Sequence, residues 1–395
     1  MAFFLSLFAL LTLFYIIGLL WLRRGLHFAQ SQTHLARTAS AARAHPSATI
    51  VVSARNEEKN LPHLLAGLAQ QNYPTEKLEI CLVDDRSSDR TGALLAAFAA
   101  QHAHAKYFRI EDTRPDFAPK KRALDHAIRH STGEIIVLTD ADGVPGPGWV
   151  REMVEQFEEN AAMVCGYSPY RPRTGSLQKI LALEYFSLAA VAAGSIGVGR
   201  PLTCTGSNLA YRRSAYFAIG GFDGIAQWIS GDDDLLLHKM HEHHAGQIKF
   251  AGHTSAHVPV RPPASWKDFQ AQRTRYASKG RHYKLSVTLA LAAVYGLNLF
   301  LCVGVLAVFL VEIKIFLFTL ACGLLKACFE FLYLKKAAQW FGEESLLRYF
   351  SLAAMLHPFY IVYFSTRAQF ARFVWRGEEF AARTAQSLGG ILSRR

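Results

Sequence analysis

Asp140 and Asp142 close the run Gly133-Glu-Ile-Ile-Val-Leu-Thr-Asp140-Ala-Asp142, with one small residue between them. Carboxylates spaced this way on an extended or turning backbone can reach one ion. Their hard oxygens suit Mg²⁺ or Mn²⁺, with phosphate oxygens and water completing the shell. The alternative is a solvated acidic turn ahead of the breakers Gly143 and Pro145. Ile135 to Leu138 read as a short buried strand that delivers both carboxylates at its C-terminal end. In an open α/β sheet, ligands bind beyond that end. A second acidic group, Gly231-Asp-Asp-Asp234, stands directly before a helix expected over Leu235 to His241. Helix capping and the helix dipole would favour aspartates there without any chemistry. His238, His241, His243 and His244 crowd the end of that helix. No cysteine or paired carboxylate completes a closed zinc site with them, so a polar helix end is expected.

The elements that must position these groups alternate along the chain. A strand over Ala48 to Ser53 runs into Arg55-Asn56-Glu57-Glu58, and a helix follows with Leu61, Leu64, Leu65 and Leu68 on one face. A second strand, Leu78 to Val83, ends in Asp84-Asp85-Arg86-Ser87-Ser88-Asp89, ahead of an Ala/Leu-rich helix over Thr91 to His102. Tyr107 to Ile110 is a short strand, Lys120 to His130 a helix, and Glu134 to Leu138 the strand of the Asp pair. Strand alternating with helix predicts a parallel, doubly wound α/β sheet. Its strands end in polar or acidic residues, as a nucleotide site at the carboxyl edge requires. The Gly194-Ser-Ile-Gly-Val-Gly199 segment is not a phosphate loop, because no strand precedes it and its spacing is wrong.

Composition decides the setting. The chain has 395 residues, 51% of them apolar and only 19% charged. The apolar residues are concentrated. Ala2 to Leu22 is long enough to span a bilayer, and Ser286 to Leu334 is mostly apolar, with Glu312 and Lys314 marking a turn. Ser345 to Phe364 is a third, more polar candidate. Ile180 to Val191, with Glu184 within it, is read as an interfacial helix. No charge precedes the first run, so it is read as an uncleaved anchor and not a signal peptide. Arg23, Arg24, Arg37 and Arg43 follow it and place the next segment in the cytosol. The formal charge of +12 is read as attraction to anionic lipid, not to nucleic acid. The six cysteines form no metal spacing and fit reduced thiols. The expected organisation is an anchor (1–24), a basic juxtamembrane linker (25–45), a catalytic-sized domain (46–260), an amphipathic interfacial segment (261–285), C-terminal membrane helices (286–366) and a basic tail (367–395).

Several motifs in order resemble the family 2 glycosyltransferases with a GT-A fold. They are Val51-Val-Ser-Ala-Arg-Asn-Glu-Glu-Lys-Asn-Leu61, Val83-Asp-Asp-Arg-Ser-Ser-Asp-Arg-Thr-Gly92, Thr139-Asp-Ala-Asp142, Thr205-Gly-Ser-Asn208, Gly231-Asp-Asp-Asp234 and Gln272-Arg-Thr-Arg-Tyr276. The resemblance covers roughly residues 46 to 285. The flanking apolar runs resemble the integral-membrane branch, which includes cellulose, hyaluronan and poly-N-acetylglucosamine synthases and ceramide glucosyltransferase. The resemblance implies that Ala54, Arg55, Asn56 and Glu57, with Asp84 or Asp85, hold the base and ribose of a nucleotide-sugar donor. It implies that Lys120 approaches the diphosphate, although Lys121 and Arg122 adjoin it, and that Asp140 and Asp142 bind Mg²⁺ or Mn²⁺ beside the donor. Aligned with the family's acidic motif, Asp233 takes the position of the general base and Asp232 stands where the family often has Glu. Direct displacement with a base implies inversion at the anomeric carbon. Gly206, Ser207 and Asn208 would line the acceptor site. Gln272, Arg275 and Tyr276 would meet the diphosphate and acceptor, with Tyr276 where the family has Trp. That departure weakens the case for a processive polymerase. Lys267, Arg273, Arg275, Lys279 and Arg281 also make this stretch a basic amphipathic helix suited to a membrane surface.

The expectation is therefore a multi-pass enzyme of the cell membrane with its GT-A domain in the cytoplasm. It would transfer a sugar from a UDP-sugar to a membrane lipid or lipid-linked glycan in cell-envelope biosynthesis. The alternatives are a processive polysaccharide synthase, an inactive GT-A-like membrane subunit and a membrane nucleotidyltransferase. The distal motifs disfavour the last. Basic residues after Thr366, among them Arg367, Arg372, Arg376 and Arg383, argue for an inside tail, so that either Ser345–Phe364 is re-entrant or interfacial or the tail breaks the positive-inside rule.

Overall fold

The structure is a computed structural model describing residues 2–40, 45–278, 283–306, 313–370, 372–375 and 378–381. Arg43, Lys279, Arg281, Glu312, Arg376 and Arg383 lie outside these. The strands of the main sheet are β1 (Ala48–Ala54), β2 (Leu78–Asp85), β3 (Ala105–Ile110), β4 (Ile135–Leu138), β5 (Ala161–Gly166), β6 (Leu209–Arg212) and β7 (Gln247–Ala251). The helices are α1 (Ala2–Ser40), α2 (Leu61–Ala69), α3 (Thr91–Gln101), α4 (Pro119–His130), α5 (Trp149–Glu155), α6 (Ser176–Gly197), α7 (Arg213–Ala218), α8 (Asp234–Glu242), α9 (Trp266–Ser278), α10 (Leu285–Leu306), α11 (Ile313–Phe341) and α12 (Phe350–Phe370). A short antiparallel pair, β8 (Arg372–Trp375) and β9 (Glu378–Ala381), lies in the stretch expected to be a basic tail.

The seven-stranded sheet has the order β3-β2-β1-β4-β6-β5-β7. β3, β2, β1 and β4 run parallel, while β6 is antiparallel to both neighbours. β4 is buried along its whole length, which is why its sequence reads as an unbroken apolar run. Period-two alternation divides the core between the two faces. Ile50, Val52, Ile80, Leu82 and Val137 face a layer containing Leu61, Leu64 and Leu95. Val51, Cys81, Val83 and Ile136 face a layer containing Leu124, Ile128, Phe186 and Tyr333. The second layer is continuous with the long apolar helices. Proline in the first turn of α2 and of α4 presets the helical φ where no amide partner is lost.

One correction concerns the linker expected over residues 25–45, of which 41–44 lie outside the described residues. In place of a linker, α1 continues without a break to Ser40. Leu26, Ala29, Thr33 and Ala36 recur along one face and are buried. Thr33 Oγ1 donates to the Phe250 carbonyl of β7 at 2.7 Å, and Arg37 pairs with Glu152 of α5 at 3.2 Å. The polar residues that read as a linker are the outer face of this helix. Ile180–Val191 lies within the 22-residue α6, half buried against the protein. The glycine-rich stretch at the end of α6 is a helix crossing. A Cβ on Gly197 would lie 1.8 Å from the Gly25 carbonyl oxygen of α1, and one on Gly25 would lie 1.8 Å from that of Gly194. Small residues are what allow two backbones to come this close.

Among the described residues, four helices are long and apolar enough to cross a membrane: α1, α6, α10 and α11. The two runs expected in Ser286–Leu334 are α10 and α11. Ser345–Phe364 divides into a 3₁₀ turn, Glu344–Tyr349, and the start of α12, which carries Pro358 inside it.

The crossing makes a prediction. Gly194→Val places a methyl-bearing carbon against the Leu22 carbonyl and Tyr333 hydroxyl, so the thermal midpoint in detergent should fall by roughly 5 °C or more. Gly18→Val, on the same α1 helix but with nothing within 4 Å, should leave the midpoint unchanged.

Candidate active site

The exits of β1 and β2 are stitched into one surface. Ala54 ends β1, and Asn56 follows in a left-handed conformation with φ of 54°. The Asn56 amide donates to Ser87 Oγ at 3.0 Å, and the Ser88 amide donates to Asn56 Oδ1 at 2.9 Å. The Glu57 amide donates to Thr91 Oγ1 at 2.7 Å, and the Glu57 carboxylate accepts from the Asn60 amide at 2.6 Å. The two acidic residues of this edge point inward. Asp84 is fully buried and accepts the Ser87 amide at 3.0 Å, with Gly92 so close that a Cβ would lie 2.6 Å from its carboxylate. Asp85 is held by Arg86 and by Arg122, each at 3.0 Å. Both lie inside β2, which extends past Val83 to Asp85. The helix cap near Thr91 comes from Asp89, whose carboxylate accepts the Thr91 amide at 2.9 Å.

Three adjacent cations on the first turn of α4 go to three different places. Lys120 enters the centre of the site, where its ammonium is 2.6 Å from Asp140 Oδ1 and 2.7 Å from Asp232 Oδ2. Lys121 is buried and donates to the carbonyls of Ile225, Trp228 and Ser230 at 2.6, 2.8 and 2.9 Å. It thereby fixes the loop that leads into Gly231-Asp-Asp-Asp234. Arg122 turns to Asp85. Burial disfavours the charge on Lys120, but the two carboxylates outweigh it and hold its pKa above the ordinary lysine value.

Gly231, with φ of +87°, turns the chain into α8, and Asp233 stands at the helix cap, accepting the Asp234 amide at 2.7 Å. Capping and proximity to the centre therefore coincide on this residue. A Cβ on Gly206 would lie 2.9 Å from Asp232 Oδ2, 3.3 Å from Lys120 Nζ and 3.5 Å from Asp233 Cβ. Gly206 is the wall against which Asp232, Asp233 and Lys120 meet. Burial, and next the Asp140 charge, push the Asp142 carboxyl up to about 6, opposed in part by Lys120 and Arg261. Two hard carboxylates whose charges repel at this spacing fit a divalent cation, whose charge would relieve that repulsion.

The remaining expected residues divide. Ser207 is buried in a hydroxyl chain that runs Tyr185, Thr205, Ser207, Ser168. Asn208 is fully buried. Its amide donates to the carbonyls of Tyr167 and Ala256 at 2.9 and 2.7 Å and accepts from Trp149 Nε1 at 2.9 Å. It braces the turn from behind. Gln272 Oε1 accepts the Tyr170 hydroxyl at 3.0 Å, and the Arg275 guanidinium lies 5.1 Å from the Tyr276 ring centre. Residues that sequence reading did not single out are Arg261 and Tyr283, whose hydroxyl donates to Asp234 at 2.6 Å. Only the loop and chain reversals of the fold bring them here, so no local spacing announces them.

An acidic pair, a lysine and an acidic helix cap thus meet at the carboxyl edge of a mostly parallel sheet, where open α/β sheets bind their ligands. The comparisons with known proteins are specific. The model of "Glycosyl transferase family 2" matches residues 49–219, and that of "Glycosyl transferase family group 2" matches residues 135–377, more than half of the chain. The chain belongs to the family 2 glycosyltransferases. It is 28% identical over 255 residues to "Probable glycosyltransferase YdaM" of Bacillus subtilis (strain 168), covering 62% of this chain and 57% of that one. It is 27% identical over 218 residues to the beta-monoglucosyldiacylglycerol synthase of Synechocystis sp. (strain ATCC 27184 / PCC 6803 / Kazusa), covering 50% and 41%. It is 26% identical over 178 residues to the poly-beta-1,6-N-acetyl-D-glucosamine synthase of Staphylococcus epidermidis, covering 44% and 42%. The matches thus span about half the length of these relatives. Among solved structures, a mannosyltransferase from Pyrobaculum calidifontis in complex with GDP-Man and Mn²⁺ shares the fold, with a TM-score of 0.51, 18% identity and coverage of 88% of this chain and 99% of that one.

Asn208→Ala should leave an indole N–H and two carbonyls without partners, costing roughly 3 kcal/mol or more. The check is the unfolding midpoint in detergent. A midpoint within a degree of wild type would contradict the bracing role.

Proposed function

We propose that this chain is an inverting, metal-dependent glycosyltransferase that moves a sugar from a UDP-sugar onto a hydroxyl of a membrane lipid or lipid-linked glycan in cell-envelope biosynthesis. The observation that carries this reading is the meeting of Asp140, Lys120, Asp232, Gly206 and Asp233 beside helices of membrane-spanning length. The turn Ala54 to Glu57 and the Asp84–Asp85 edge would receive the base and ribose. Asp84 and Asp85 are engaged internally, so the edge they rigidify would bind as much through backbone groups as through these carboxylates. Asp140 and Asp142 would hold Mg²⁺ or Mn²⁺, whose charge offsets that of the departing diphosphate. Lys120 would meet the same charge from the protein side.

Asp233 would accept the proton of the acceptor hydroxyl as that oxygen attacks the anomeric carbon. The nucleoside diphosphate leaves from the opposite face, so the configuration inverts. Asp232, paired with Lys120, would hold the lysine in place. The acceptor would lie along Gly206, Ser207, Gln272, Arg275 and Tyr276, reaching them from the bilayer. The relative named for a diacylglycerol glycolipid supports a lipid acceptor. The relative named for poly-N-acetylglucosamine supports a second reading, a processive synthase, which product length would separate. The catalytic domain is proposed to face the cytoplasm, where nucleotide sugars are made.

The experiment is transfer by purified protein in lipid, with a panel of UDP- and GDP-sugars and with Mn²⁺, Mg²⁺ or chelator. One metal-dependent donor should be used, giving a product with a single sugar added and the anomeric configuration inverted. Asp233→Asn should lower kcat about 10²-fold or more while donor affinity persists. Asp142→Asn should weaken both metal dependence and turnover. Tight donor binding without turnover on any acceptor would favour an inactive subunit, and turnover surviving Asp233→Asn would remove Asp233 as the base.

A further inference from the structure

The apolar helix α6 carries one carboxylate, Glu184, which the mechanism above does not use. It lies at the junction of three helices. Its carboxylate pairs with the guanidinium of Arg273 on α9, which is 2% exposed. It also accepts the hydroxyl of Tyr360 on α12 at 2.8 Å. Arg273 is enclosed by rings, with the centres of Phe269, Tyr276 and Tyr185 at 5.1, 5.4 and 5.8 Å. The next residue of α6 makes a second tie. Tyr185 stacks on Tyr170 with ring centres 4.3 Å apart and an interplanar angle of 6°. Tyr170 then donates to Gln272 at 3.0 Å, and Tyr185 shares a hydrogen bond with Thr205 at 3.2 Å. Consecutive residues of α6, 184 and 185, thus hold consecutive residues of α9, 273 and 272.

The two ties are unequal. A hydrogen bond relayed through a tyrosine contributes little net stability. A buried charge that loses its partner costs far more. If the carboxylate is removed, Arg273 cannot stay in its ring cage as a lone cation, and α9 has to lift to hydrate it. Tyr360 adds the third helix. It lies one turn beyond His357, which contacts Lys326 of α11 at 3.2 Å. The seat of α9 is therefore set by how the membrane-length helices pack.

We propose that Glu184 is a positioning residue for acceptor use. It latches α9 onto α6 and α12, so that the stretch Gln272 to Tyr276 stays against the turn at Thr205 to Ser207. The purpose assigned to the latch rests on the transferase reading; the latch itself does not.

The test uses the full chain in lipid nanodiscs. In Glu184→Gln, peptides covering 266–278 should exchange amide hydrogen about tenfold faster or more, while β1, β2 and β4 keep wild-type protection. Transfer kcat should fall about tenfold or more with donor KM within about twofold. Tyr360→Phe should shift both readouts in the same direction by less, and it serves if Glu184→Gln does not fold. Arg273→Lys, which keeps the charge, should retain more transfer than Arg273→Met. Unchanged exchange of 266–278 in Glu184→Gln and Tyr360→Phe would overturn the latch. Donor KM rising in step with the loss of kcat would overturn the acceptor-side role. If wild-type protein transfers to no acceptor, the transferase reading fails, and hydrogen exchange still decides the latch.

Discussion

Two carboxylates from segments more than ninety residues apart, Asp140 and Asp232, share one ammonium, that of Lys120. At these distances the attraction is large, and without the cation the two acids would repel in a partly buried site. The rest of the site follows from keeping this triad closed. Lys120 must start a helix at the sheet edge, so Pro119 opens α4 there. The Asp232 loop must come back to that edge, so Lys121 gathers three of the loop's carbonyls. The wall between them must be thin, so Gly206 stands where a Cβ would crowd Asp232. One turn of one helix thus organises both the Asp140 end and the Asp232 end of the site.

The membrane-length helices are part of this construction and not a detachable anchor. α1 leaves its apolar run and continues along the sheet as far as β7 and α5. It crosses α6 at a glycine contact that leaves no room for a side chain. α6 then supplies Phe186 to the core and Tyr185 to the hydroxyl chain through Thr205 and Ser207. Glu343, at the end of α11, pairs with Arg171 and Arg173 in the segment after β5. These contacts carry force between the helices and the catalytic edge, and an acceptor arriving from lipid would meet elements already fixed to both.

Much of this was legible in the sequence, for a definite reason. The alternation of β1, β2 and β4 with their helices follows local periodicity, and Asp140-Ala-Asp142 sits at a strand end that apolar residues announce. The family resemblance placed Lys120 and Gly231-Asp-Asp-Asp234 in order, and the structure brings them together. What local pattern misread was direction and partner. Asp84 and Asp85 belong to β2, which runs two residues further than its apolar pattern suggests, and their carboxylates have internal partners that local spacing does not announce. Asn208 sits in a motif expected to line the acceptor, and its three hydrogen bonds lie behind the turn. Residues 25–40 looked like a linker because their apolar positions, Leu26, Ala29 and Ala36, are sparse. Thr33 spends its hydroxyl on β7, which hydropathy cannot register. The antiparallel β6 was missed because it inserts between β4 and β5, which are consecutive in the chain and far from it in sequence.

The central claim is that Asp140 and Asp142 on one side, and Lys120 with Asp232 on the other, are parts of one catalytic centre. The most direct measurement is anomalous scattering at the manganese edge from crystals or lipidic-phase crystals of the full chain grown with Mn²⁺ and a UDP-sugar analogue. The account predicts a single peak about 2.1 Å from carboxylate oxygens of Asp140 or Asp142 and from the diphosphate, with Lys120 in contact with the same diphosphate. A well-ordered nucleotide with its manganese bound elsewhere, or with Lys120 remote from the phosphates, would contradict it.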